Sequence, residues 1–222
     1  MNLSAVTHLI YDLDGVLLDT EPVYTQVTEE IVSEYGKTFD WSVKREMIGR
    51  PSRAAADHLV AALALPITAE QYLARRLDRL EELFTRTPAM AGAESFTRDM
   101  CARGFAQAVG TSSEDGLYRI KTAGHRDWFE VFDAVVVGDD PRIENGKPAP
   151  DIFLLAASDL GAAPERCLVV EDSPPGVEAA CRAGMQVVAL PDPAMDRRAY
   201  ADAGLVVDSF AELARAMSGL SR

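Results

Sequence analysis

The chain has 222 residues, 48% hydrophobic and 26% charged, with a formal net charge of −13. That length fits one large domain or a core with a smaller inserted one, and the apolar share suffices for a sizeable core. The excess of 35 acidic over 22 basic residues argues against non-specific nucleic-acid binding, which needs Lys and Arg to neutralise phosphates; a small anionic substrate stays open, because a local cation overrides a global field.

In chain order, "VTHLIYDLD" (6–14) reads as a first strand. Three helical patterns follow over 21–35, 52–65 and 68–86, with "GKTFDW" and "LALPIT" as connections. A helix over 94–101 leads to a second strand, "FAQAVGTSS" (105–113), and then a third, "DAVVVGD" (133–139). After a helix over 151–160 come "RCLVVED" (166–172), a helix over 175–183 with proline near its start and Gly184 past its end, and "MQVVALPD" (185–192). "GLVVDS" (204–209) is a candidate sixth strand, followed by a helix over 209–217. Near-continuous apolar runs mark strands buried on both faces, hence a mainly parallel sheet covered by helices. The βαβα order predicts a doubly wound, Rossmann-like α/β layer. Roughly 90 residues without a strand separate the first strand from the second, where a crossover needs only one helix. The surplus predicts an inserted all-helical domain over 18–87, with 1–17 and 88–222 forming the α/β core.

No stretch approaches the ~20 apolar residues that span a bilayer; "LVAALALPI" (59–67) is short and holds a proline. No Lys or Arg precedes the first apolar stretch, which stops at Asp12, so the start does not read as a signal peptide. Cys101, Cys167 and Cys181 are odd in number with no CxxC, which suggests neither a disulfide framework nor a zinc site. His8, His58 and His125 show no ligand spacing and read as structural or surface residues. A cytoplasmic protein is expected.

Ligands of open α/β sheets bind outside the carboxyl ends of the strands. At that edge the pattern places Asp12 and Asp14, Thr111 and Ser112, Asp139 and Asp140, and Glu171 and Asp172, with Lys147 in the loop after the third strand. Acids crowded at low dielectric repel one another, so a cation belongs with them. Hard oxygen donors with few histidines favour Mg²⁺, held by carboxylates, water and a substrate phosphate. With Lys147 as a second positive charge, such a site suits a phosphoryl group. One aspartate can take that group covalently, and a second, two residues on, can serve as general acid and then base. Each residue also has a blander role: Asp12 and Asp14 as turn residues, Thr111 and Ser112 as helix caps, Lys147 as a solvated lysine. A calcium loop is excluded, since Val16 falls on the fifth position and Gly15 on the fourth. "ENGKP" lacks the P-loop glycine and hydroxyl, and "GTSSE" has Glu114 where a serine-hydrolase elbow needs glycine.

Taken together, "DLDGVLLDT" (12–20), "VGTSS" (109–113), "GKPAPD" (146–151) and "VVEDSPPG" (169–176) resemble, in order, the four motifs of the haloacid dehalogenase superfamily. The resemblance implies that Asp12 is a nucleophile forming an aspartyl-phosphate and that Asp14 protonates the leaving oxygen and then activates water. It implies that Thr111 and the Ser112 amide bind the phosphoryl group and that Lys147 steadies Asp12 and the phosphate. Mg²⁺ would be held by Asp12, Asp172 and the Asp14 carbonyl, with Glu171 a direct or water-mediated ligand. Asp14 favours phosphate-ester chemistry, since the dehalogenase branch lacks it. The helical insert matches the cap of one subclass, a domain that closes over the site and excludes water. Residues 35–50, 135–154 and 167–192 look like the pseudouridine-5′-phosphatase group and related sugar- and polyol-phosphate phosphatases. Arg50 and Arg53 read either as a solvated helix start or as cap residues touching the leaving group. Asp139 and Asp140 are expected to shape the turn before Lys147, Asp139 with a possible supporting part in the site.

The expectation is therefore a Mg²⁺-dependent phosphatase of small phosphorylated metabolites, monomeric or weakly dimeric, with no nucleic-acid or membrane partner. A phosphomutase of the β-phosphoglucomutase kind shares these motifs. A non-catalytic binding protein on the same scaffold would tolerate loss of Asp14 or Lys147, and this chain has both.

Overall fold

The structure is a computed structural model that describes residues 1–48 and 52–220. In the first strand, β1 (His8–Tyr11), Leu9 and Tyr11 pack into one apolar cluster and Ile10 into another. This is the two-residue alternation of a strand with both faces covered, and it explains why the run is apolar throughout. The chain then passes through four helices, α1 (Glu21–Ser33), α2 (Trp41–Lys44), α3 (Ser52–Leu63) and α4 (Ala69–Phe84), and a fifth, α5 (Ala93–Ala102). After β2 (Ala106–Gly110) come α6 (Asp115–Thr122) and α7 (Arg126–Phe129), then β3 (Ala134–Val136) and α8 (Asp151–Asp159). The chain closes with β4 (Cys167–Glu171), α9 (Pro174–Arg182), β5 (Gln186–Ala189), β6 (Leu205–Val206) and α10 (Phe210–Ala216).

The strands pair in parallel in the order β3-β2-β1-β4-β5-β6, the doubly wound arrangement expected from the βαβα pattern. His8 stands opposite both Ala106 and Cys167, so β1 is central. One face carries Phe96 and Met100 of α5, Trp128 of α7 and Phe210 and Leu213 of α10. The other carries Ile152, Phe153 and Ala156 of α8 and Val177 and Ala180 of α9. A buried polar chain crosses the first face: Tyr11 Oη donates to Gln107 Oε1 (2.8 Å), Gln107 Nε2 to the Thr97 carbonyl (2.9 Å), and Trp128 Nε1 to Thr97 Oγ1 (2.7 Å). Each of these buried polar groups thereby keeps a partner.

The chain divides into two compact units, Met1–Asp19 with the residues from Pro88 onward, and Thr20–Thr87. In the helical unit, α4 opens with a capping box: Thr68 Oγ1 accepts from the Gln71 amide and Gln71 Oε1 from the Thr68 amide. Asp40 caps α2 by accepting from the Ser42 and Val43 amides. Thr28 Oγ1 and Tyr72 Oη meet at 2.9 Å inside this unit. Its two crossings lie side by side, because the Asp19 amide donates to the Pro88 carbonyl at 2.9 Å and Leu18 bridges Ala89.

The strands stop one to three residues short of the ranges drawn from sequence, and the sixth keeps only two residues. Polar strand ends leave the ladder to face the site or solvent. No helix is bounded from sequence between β2 and β3, and α6 and α7 fill that gap. Thr111 and Ser112 do not cap α6: its N-cap is Glu114, and the Asp115 amide donates instead to Asp139 Oδ1 at 2.8 Å. No described helix is long and apolar enough to cross a membrane.

Candidate active site

Pairing carries one residue past several strands, three of them around the site. The Asp12 amide donates to the Val170 carbonyl (3.0 Å), the Thr111 amide to the Val136 carbonyl (3.0 Å), and the Leu190 amide to the Glu171 carbonyl (2.7 Å). This fixes Asp12, Thr111 and Glu171 at the carboxyl edge, around the central strand where the winding reverses. Lys147 reaches in from the loop after β3. Its Nζ lies 2.5 Å from Asp12 Oδ1, 2.7 Å from Glu171 Oε1 and 3.3 Å from the Gly110 carbonyl. Glu171 Oε2 accepts from the Ser173 amide (2.8 Å) and Ser173 Oγ (3.0 Å), so both of its oxygens are engaged.

Asp14 occupies a second corner. Lys121 Nζ donates to Asp14 Oδ1 at 2.6 Å, Ser113 Oγ donates to Asp14 Oδ2 at 2.8 Å, and Lys121 Nζ lies 2.8 Å from Ser113 Oγ. The Lys121 side chain is 0% exposed. Oxygens of Asp12, Glu171 and Asp172 lie within 4.8 Å of one another, and the Asp172 carbonyl accepts from Tyr200 Oη at 2.6 Å. Two glycines make room. A Cβ on Gly15, whose φ is +77°, would lie 2.3 Å from Asp172 Oδ2, and one on Gly176 would lie 1.7 Å from Glu171 Oε1.

Burial pushes the Asp12 carboxyl up to about 7, helped by the negative charges of Glu171 and Asp14 and opposed by Lys147. Burial alone would lower Lys147, but the charges of Asp12 and Glu171 outweigh it and hold the ammonium above its ordinary value. With every group ionised, Asp12, Asp14, Glu171 and Asp172 bring four negative charges to this edge, against two positive charges from Lys121 and Lys147. The clustered oxygens of Asp12, Glu171 and Asp172 fit a hard divalent cation.

Sequence reasoning named Asp12, Asp14, Thr111, Ser112, Lys147, Glu171 and Asp172, and all of them lie in the α/β unit. Thr111 is buried and its Oγ1 accepts from the Ser113 amide. Ser112 is exposed, and the hydroxyl that meets Asp14 belongs to Ser113. Arg53 lies in the helical unit, where it pairs with Asp57 and Glu70. Arg50 lies outside the described residues. Asp140 pairs with Arg142, whose side chain holds its carboxyl down at about 2. Lys121 and Ser113 carry no signal of this role in the sequence: a lysine near a helix end reads as a surface residue completing the dipole.

A family model described as "haloacid dehalogenase-like hydrolase" matches residues 6–184. A Drosophila melanogaster protein named "Probable pseudouridine-5′-phosphatase" is 41% identical over 221 residues, covering 98% of this chain and 96% of that protein. The Arabidopsis thaliana protein "(DL)-glycerol-3-phosphatase 2" is 41% identical over 197 residues, covering 86% and 82%. A solved structure of a HAD family hydrolase from Deinococcus radiodurans R1, with bound phosphate and sodium, superposes with a TM-score of 0.80 at 28% identity, covering 97% of this chain and 96% of that one. The strand-end carboxylates, the lysine that joins them and these likenesses along the whole chain agree: this chain belongs to the haloacid dehalogenase-like hydrolase family and is one of its phosphatases.

Proposed function

We propose that the enzyme hydrolyses a small phosphomonoester, with Mg²⁺, through an aspartyl-phosphate on Asp12. The observation that carries this reading is Lys147 bridging Asp12 and Glu171 while Asp172 and Asp14 stand beside them. An Asp12 oxygen attacks phosphorus and the ester oxygen departs with a proton from Asp14. Asp14 then takes a proton from water as that water attacks phosphorus, the phosphorus–Asp12 bond breaks, and inorganic phosphate leaves. Lys147 holds Asp12 for attack, and Thr111 with the Ser112 amide receives the phosphoryl oxygens. Mg²⁺ held by Asp12, Asp172 and the Asp14 carbonyl would supply positive charge for those oxygens and relieve the surplus negative charge. Glu171, occupied by Lys147 and Ser173, serves best behind Lys147, or as a ligand through water.

Nucleoside-, polyol- and sugar-type phosphates are the substrate class we favour, pseudouridine 5′-phosphate and glycerol 3-phosphate among them, following the relatives' names. The bound phosphate of the Deinococcus structure supports a site for a phosphoryl group. The proposal gives the helical domain, 18–87, the part of a cap that selects the substrate. Arg50 and Arg53 are its proposed contacts to the leaving group, Arg53 exchanging Asp57 and Glu70 for it. Three free cysteines accord with a reducing, cytoplasmic setting, and a monomer or weak homodimer completes the reading.

Phosphate release over a panel of nucleotides, pseudouridine 5′-phosphate, glycerol 3-phosphate and sugar phosphates tests it. At least one ester is expected to turn over, EDTA to stop it and Mg²⁺ to restore it; silence across the panel refutes the proposal. Glucose 1-phosphate with a bisphosphate primer should give free phosphate, and an isomerised sugar phosphate would make the enzyme a mutase.

A further inference from the structure

A wholly buried ammonium group is costly unless it is paired. Lys121 is such a group, and the fold does not explain it: a methionine of similar length would fill the same helix position and propensity scarcely separates the two. What distinguishes Lys121 is where it ends. Its Nζ reaches 107 residues back along the chain to Asp14 Oδ1 (2.6 Å), and touches Ser113 Oγ (2.8 Å), which itself donates to Asp14 Oδ2 (2.8 Å). The three groups close a triangle, so each oxygen of Asp14 has a donor anchored elsewhere in the α/β unit. Lys147 meanwhile takes Asp12 and Glu171. The two lysines divide the carboxylates, one on the side of the nucleophile and one on the side of the acid.

We propose that Lys121, with Ser113, is a positioning residue that locks the carboxylate of Asp14 and decides which of its oxygens handles the proton. This rests on Asp14 being the general acid and base. An ammonium group can only donate, so Oδ1 stays an unprotonated acceptor. A hydroxyl both donates and accepts, so Oδ2, facing Ser113, is the oxygen able to carry a proton and to give it up without loss of its partner. The Asp14 side chain is 25% exposed, so its lock leaves an opening through which a leaving oxygen and later a water can be reached.

The test compares wild type with Lys121→Met, Lys121→Arg and Asp14→Asn. Glycerol 3-phosphate is an ester whose alkoxide needs a proton to leave, and p-nitrophenyl phosphate is one whose leaving group does not. In Lys121→Met, kcat for glycerol 3-phosphate should fall at least about tenfold while KM and the Mg²⁺ titration move less than about twofold. The first-turnover burst of p-nitrophenol should survive, followed by slow steady-state release, because only the second step then waits on Asp14. Lys121→Arg should recover part of the loss. Wild-type kcat in Lys121→Met overturns the proposal. So does an equal loss of burst and steady state in a Lys121→Met variant that keeps the wild-type thermal transition, and a Lys121→Arg variant that folds but is no better than Lys121→Met. If Lys121→Met does not fold, the Ser113→Ala variant must show the same split between burst and steady state. If Asp14→Asn keeps full activity, or wild type cleaves no ester of the whole panel, the underlying reading fails and this proposal with it. If Asp14→Asn is inactive and Lys121→Met is not, this proposal fails alone.

Discussion

Asp12 is held where its charge is least welcome, and that has a measurable sign. Its carboxyl is raised from an ordinary 3.8 to about 7, by burial first. A carboxyl raised in the folded state gives stability that is complete below its unfolded value and is lost as pH climbs through the folded one. The metal-free enzyme should therefore lose this contribution between about pH 4 and 7, a few kcal/mol in order of magnitude. Asp12→Asn removes the group. The variant should be inactive, and its thermal midpoint without metal should exceed that of wild type by a margin that grows from pH 5 to 8 and shrinks when Mg²⁺ is added. A margin that stays flat with pH would contradict the raised carboxyl. The same burial explains what could be read in advance. Asp12, Asp14, Glu171 and Asp172 declare themselves because charge at the end of an apolar strand demands a use. Lys147 is legible only in their company. Lys121 is not legible at all, since its burial is decided by where α6 lies against the loop after β1. Serine at 112 and serine at 113 differ only in which one points to Asp14.

The start of α9 shows one element serving two needs. Ser173 caps it by accepting from the Gly176 amide, while its own amide and hydroxyl hold Glu171. Gly176 lies inside the helix, where alanine is ordinarily better by about 1 kcal/mol. Here the methyl group would fall 1.7 Å from Glu171 Oε1, so Glu171 must leave Lys147 and Ser173. Gly176→Ala should lower the thermal midpoint and reduce kcat by about tenfold or more; a higher midpoint with kcat intact would show that the placement of Glu171 is dispensable. Proline at the start and glycine after the end made α9 visible in sequence. By contrast, α6 and α7 escaped it. Both are short, α6 has no side-chain cap of its own, and its first amide is satisfied by Asp139, across a gap in sequence. Caps borrowed from distant residues leave no local signature.

The two units divide the labour of the chain unequally. All the carboxylates and lysines of the site belong to the α/β unit, which holds all six strands of the sheet. Because the Asp19 amide and the Pro88 carbonyl are 2.9 Å apart, residues 20–87 should be replaceable by a short Gly/Ser linker. The shortened protein should unfold cooperatively and gain thermal stability from Mg²⁺, as a ligand bound only by the folded state requires; a featureless melt would show that the α/β unit cannot stand alone. The alternation of apolar strands and helices made this layer legible, while the pairing order of its strands had to come from the structure. That order has a consequence during synthesis. β1 leaves the ribosome well over a hundred residues before β4, yet its neighbours are β2 and β4. Until residue 171 emerges, the central strand has an open flank, and Asp12 has neither its β4 backbone partner nor Glu171 nearby. The chain must keep that flank from pairing with other strand edges until late in translation, so mispairing is a hazard of its synthesis rather than of its finished fold.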